Sequence, residues 1–185
     1  MAYSSELITK LGTSIFATDA WCAKEGAWQV ELLAEKKMLQ GKIFLAFQTI
    51  SIAASGTAYA AVEIGDVPVM ANIQSITLVD GTLTIELFEG ADLTTGTPVT
   101  INNMNRESSE VSTVTLSVAP TVNTEGTKLD HLSLGSSGVG NSIVTSSLSA
   151  RLAWRFRPNT KYLLKLTNNG ASDINATFRA TIVED

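Results

Sequence analysis

Groups able to make or break bonds are sparse in this chain: 185 residues hold one histidine, His131, and one cysteine, Cys22. A transition-metal site built from imidazole and thiolate needs several such ligands, so zinc centres, and the iron centres that some sandwich folds carry, fail on ligand count. A serine triad would have to take His131 as its base, and no Gly-x-Ser-x-Gly elbow presents a nucleophile to it. His131 is therefore expected to be an ordinary strand or loop residue. Two carboxyl groups across a sugar can hydrolyse a glycosidic bond, and Glu86, Glu89 and Asp92 are the best candidates for such a pair. Acids on strand ends and loops are more often simply solvated. The glycine-rich stretch 135–140 lacks the Gly-Lys-Ser/Thr ending of a phosphate loop and precedes no helical pattern. No catalytic residue, cofactor or metal is expected, and the chain reads as a non-enzymatic protein that acts by binding.

Charge carries more information than chemistry does. The formal net charge is −5, which argues against a nucleic-acid partner, because phosphate contacts need clustered Lys and Arg. The charges are also segregated: residues 63 to 130 hold ten acids against Arg106 and Lys128, and residues 131 to 172 hold five bases and no acid. Arg151, Arg155 and Arg157 form the obvious basic stripe. Two outcomes follow from this pattern. The two surfaces meet across subunits or on a partner, or neighbouring strands pair the charges inside one chain.

The elements that must hold these groups are strands. From about residue 42 onward, short runs of alternating apolar residues are separated by Gly, Asn, Asp, Ser or Pro. Ile73 to Val79, Asp80-Gly81 and Thr82 to Glu89 predict a hairpin with a two-residue type I′ turn, with Leu83, Ile85 and Leu87 on its packed face. Val111 to Val118 predicts a strand that places Val114, Leu116 and Val118 on one side. Leu152, Trp154 and Phe156 oppose Arg151, Arg155 and Arg157 on another. Tyr162 to Leu166 and Asn175 to Val183 complete about eight or nine strands, a spacing that implies an all-β fold, an antiparallel jelly-roll or Greek-key sandwich. The uncharged window Ile43 to Val62 is long enough to cross a bilayer, but its polar residues and the turn at Ser55-Gly56 read as strands, so no membrane partner is expected.

Two stretches break the pattern. Residues 1–41 are expected to form a short N-terminal arm, or a short amphipathic helix within Trp28 to Leu39 that ends at Gly41, ahead of a sandwich over 42–185. Trp21 and Trp28 would be costly to expose, which makes this arm the candidate for docking on a neighbour. Glu6 and Lys10 interrupt what would be the apolar part of a secretory signal, so none is expected. Leu134 to Ala150, rich in Gly and Ser, predicts a flexible loop. With Cys22 alone, no intramolecular disulfide can form.

Several motifs resemble a family of tailed-bacteriophage virion proteins, the capsid decoration or cement proteins. They are Gln40-Gly41-Lys42-Ile43-Phe44; Leu87-Phe88-Glu89-Gly90-Ala91 followed by Thr95-Gly96-Thr97-Pro98-Val99; Asn102-Asn103-Met104-Asn105-Arg106-Glu107-Ser108-Ser109; Gly126-Thr127-Lys128-Leu129; and Pro158-Asn159-Thr160-Lys161-Tyr162-Leu163-Leu164-Lys165-Leu166-Thr167-Asn168. The resemblance spans about residues 40 to 185 and keeps the order of the motifs; Thr181-Ile182-Val183-Glu184-Asp185 departs from the family's aromatic finish. It implies a jelly-roll protein made in the bacterial host cytoplasm and bound to the capsid exterior. There, as a homodimer or homotrimer, it would tie neighbouring major capsid protein subunits together. The candidate interface is Trp21, Trp28, Arg106, Arg151, Arg155 and Arg157. The alternative is a carbohydrate-binding jelly-roll module of a phage tail or host-recognition device, which needs exposed aromatic rings such as Trp154 or Tyr162.

Overall fold

The structure is a computed structural model that describes residues 21–22, 27–28, 33–79, 81–94, 96–135, 143–147 and 153–185. Its elements in chain order are β1 (Trp21–Cys22), β2 (Ala27–Trp28), α1 (Leu33–Leu39), β3 (Ile43–Ile52), β4 (Thr57–Glu63), β5 (Val69–Val79), β6 (Thr82–Glu89), β7 (Asp92–Thr94), β8 (Thr97–Val99), β9 (Ile101–Asn103), β10 (Thr115–Val118), β11 (Thr121–Thr124), β12 (Thr127–Gly135), β13 (Ile143–Ser147), β14 (Ala153–Phe156), β15 (Lys161–Asn168) and β16 (Ile174–Glu184). Strand pairing is antiparallel throughout.

Two sheets make the body. The first runs β13-β5-β16-β3-β9, with β14 extending the β13 edge along β5, and the second runs β12-β6-β15-β4-β10-β8. Most successive long strands change sheet: β3, β5, β13, β14 and β16 lie in the first, while β4, β6, β12 and β15 lie in the second, where β6 and β12 are direct neighbours. Apolar side chains from both sheets meet between them. Phe44, Val69, Phe156 and Ile182 of the first pack with Val62, Leu87 and Tyr162 of the second, and Ile76, Leu78 and Ile174 meet Leu83, Ile85 and Leu166. This is a two-layer antiparallel sandwich, as the alternation predicts.

The second sheet is buried on its outer side as well. The β7–β11 ribbon covers it, so Leu93, Ala91 and Val122 enclose Ala61, Phe88 and Leu163. That explains why Leu163 is fully buried although its neighbours Tyr162 and Leu164 point to the opposite face.

Several expectations need correction. β5 and β6 are not a hairpin: β5 pairs with β16, β13 and β14, and β6 with β15 and β12, so the turn at Gly81 carries the chain from one sheet to the other. The faces were nevertheless legible, with Leu83 0%, Ile85 5% and Leu87 8% exposed. The run at Val111 to Val118 is a strand only over β10, and Val111 is 82% exposed because the preceding segment is a loop. Within the predicted loop Leu134 to Ala150, residues Ile143–Ser147 are a strand on β5; its other residues from 136 on lie outside the described ones. The described residues form fourteen strands from Ile43 onward rather than eight or nine. The excess is mostly strands of three or four residues between Asp92 and Thr124, too short to show a period. No described helix is long and apolar enough to cross a membrane.

The inner faces do not pack everywhere. Ala46 and Ala180 are direct cross-strand partners in the first sheet, and Ala60 lies on the inner face of β4 opposite them. A cavity of about 140 Å³ lies there between the sheets.

Candidate functional site

β6, β12 and β15 carry the groups that could do chemistry, and their register decides which of them meet. His131 stands opposite Glu86, Glu86 opposite Lys165, and Lys165 opposite Tyr59, one row across four strands. Lys128 donates to Glu86 and Lys165 donates to Glu125 at 2.7 Å. The hydrogen bond from Lys128 holds the Glu86 carboxyl below its ordinary range, reinforced by the charges of Lys128, Lys165 and His131 against a smaller opposing effect of burial. The hydrogen bond to Glu125 raises the Lys165 ammonium above its ordinary value. Glu86 is thus kept ionised, the wrong state for a general acid at neutral pH.

Glu89 lies three residues on and therefore on the opposite face of β6. There the Tyr162 hydroxyl donates to Glu89 at 3.0 Å and accepts the Arg157 N–H at 2.9 Å, and the Arg157 guanidinium lies 3.2 Å from Glu89. Burial pushes the Tyr162 phenol up, partly opposed by the Arg157 N–H. Glu86 and Glu89 do not converge on one substrate. Asp92 is exposed on β7 and accepts from the Asn123 amide at 3.2 Å. Among the described residues no group of three His, Cys, Asp or Glu side chains could hold a metal.

A second constellation lies at the C-terminal end of β16. Lys37 of α1 donates to the Glu184 carbonyl at 3.1 Å and to Asp185 at 2.8 Å, and Arg155 donates to Asp185 at 3.0 Å. The bond from Lys37 holds the Asp185 carboxyl below its ordinary range. The buried Glu184 carboxylate accepts the Ser112 hydroxyl at 2.7 Å and the Thr113 N–H at 2.8 Å. The Asn-rich block joins in: Asn103 donates to the Gly41 carbonyl and Asn105 to the Leu39 carbonyl, both at 2.9 Å. The Asn103 and Asn105 side-chain oxygens accept the N–H groups of Asn105 and Glu107. Gly41 has φ +70° and sits against the Ser108 hydroxyl where a Cβ would go. α1, the 104–113 loop and the end of β16 form one clasp.

The predicted interface residues are scattered over these features. Arg155 and Arg157 are exposed but engaged by Asp185 and Glu89, and Lys161 and Lys165 pair with Glu63 and Glu125. The charges segregated in sequence meet within one chain. Arg106 is exposed on the clasp loop. Trp21 and Trp28 are cross-strand partners in the β1–β2 ribbon, with their side chains outside the described residues, as is Arg151. Tyr162, offered as a sugar-stacking ring, is 1% exposed, and Trp154 packs part-buried on the same core cluster. Phe47 went unnoticed: it is 64% exposed on the outer face of β3, directly opposite Arg179. The alternation Leu45, Phe47, Thr49, Ser51 held the signal.

The chain matches no protein-family model and no curated protein sequence.

Proposed function

We propose that this chain is a structural virion protein that binds the outside of a bacteriophage capsid and cements neighbouring major capsid subunits, working by contact rather than catalysis. One observation carries the reading: the long strands stand in the orders β3-β16-β5-β13 and β4-β15-β6-β12 in two sheets, and the chain crosses between the sheets at most steps, β6 to β12 staying within one. Crossing between two antiparallel sheets supports the jelly-roll reading that the resemblance to decoration proteins implies. The Asn102 to Ser109 motif supports it further, because its amides are spent on holding loop shape, which gives a stiff surface to present. Many copies on a lattice turn modest contacts into large avidity.

The test adds purified protein to undecorated shells. Binding should saturate at symmetry-related positions and raise resistance to heat or chelation; saturation without a gain in resistance, or no binding, rejects the cementing role.

A further inference from the structure

We propose that the cavity between the two sheets is a binding site for one small, uncharged, apolar molecule of about the size of benzene. The argument begins with side-chain volume. Facing positions in a packed sandwich alternate large and small so that the layers interdigitate. Here the small residues coincide, with Ala46 paired to Ala180 on one sheet and Ala60 on the inner face of the other. Close packing cannot close such a gap without moving a sheet.

Its surroundings set the class of ligand. Leu116, Leu164 and Phe178 line it and remain part-accessible although they point inward. Four polar residues border it, Gln48, Ser117, Asp130 and His131, and three of them make bonds to their surroundings: Gln48 donates to the Thr49 carbonyl, Ser117 accepts the Gly96 N–H, and Asp130 accepts the His131 N–H. A stable water needs two to four polar partners, and the surface of this space is almost wholly apolar. A charged ligand would lose its hydration without replacement. The volume of about 140 Å³ is close to that of an engineered apolar protein cavity of about 150 Å³ that stays dry and binds benzene.

The experiment titrates the whole protein with benzene, following methyl NMR shifts and the melting temperature, with benzoate as the charged control. Ala180→Leu and Ala60→Leu fill the space from opposite sheets. Saturable shifts confined to residues around the cavity are expected, with a melting temperature that rises with benzene, no response to benzoate, and at least tenfold weaker benzene binding in whichever filled variants fold. Absence of a saturable response in the unmodified protein overturns the proposal, as does equal binding of benzoate or undiminished binding in a folded filled variant. The unmodified protein alone can decide against it. Failure of shell binding would leave this result standing.

Discussion

Tyr162 shows how one hydroxyl ties the core to the surface. Its ring packs on Phe156 with centroids 4.3 Å apart, while its oxygen bridges the Arg157 N–H and Glu89. Tyr162→Phe keeps the ring and removes the bridge, so chemical denaturation should show a loss of about 1–2 kcal/mol, the cost of a hydrogen bond to a charged group together with a stranded donor. Glu86 gives a pH signature. Its pKa is depressed in the folded state, so the stabilisation it supplies is present above the unfolded carboxylate value of 4.5 and fades as pH falls through the lower folded value. Lys128→Ala should therefore shrink the stability difference between neutral and acid solution, by roughly 0.5 kcal/mol because the lysine is solvent-exposed; urea midpoints at several pH values read this directly. Phe47→Ser removes an exposed ring, so stability should stay within about 0.5 kcal/mol. If the outer face of the first sheet meets the shell, the binding isotherm of that variant shifts to weaker affinity.

At the scale of elements, sequence patterns revealed faces better than partners. Period-two alternation identified which side of β6 is packed, because burial of every second residue leaves a local trace. The same segment misled about pairing: a two-residue turn between alternating runs suits a hairpin and an arch between sheets equally. The difference lies in β15 and β16, some eighty to a hundred residues away. A short helix ending at Gly41 was only one of two readings of this stretch, beside an extended arm; α1 spans Leu33–Leu39, and Trp28 lies in β2 instead. The clasp was not legible, since Glu184 reaches Ser112 and Thr113 across 72 and 71 positions. Likewise, the departure from an aromatic finish at Thr181 to Asp185 weakens no strand, because β16 is flanked by β3 and β5. Glu184→Ala should cost about 1–3 kcal/mol by stranding the Thr113 N–H, and hydrogen exchange should speed up through the 104–113 loop first.

The whole molecule is a sandwich whose described basic stripe is neutralised by its own acids, so charge alone does not nominate the contact surface. Size-exclusion with light scattering should give two or three chains per particle if the proposed homodimer or homotrimer forms; a monomer at high concentration would leave the lattice as the sole organiser. How such a body comes into being follows from the place of β16. This strand is the spine of its sheet, hydrogen-bonded along its length to β3 on one side and β5 on the other. Residues 174 to 184 must leave the ribosome before that layer can close. Until then the exposed edges of β3 and β5 are open to wrong pairing, so a nascent chain stalled short of residue 174 should be sticky and readily cut by proteases, and full-length product should gain resistance in a single late step.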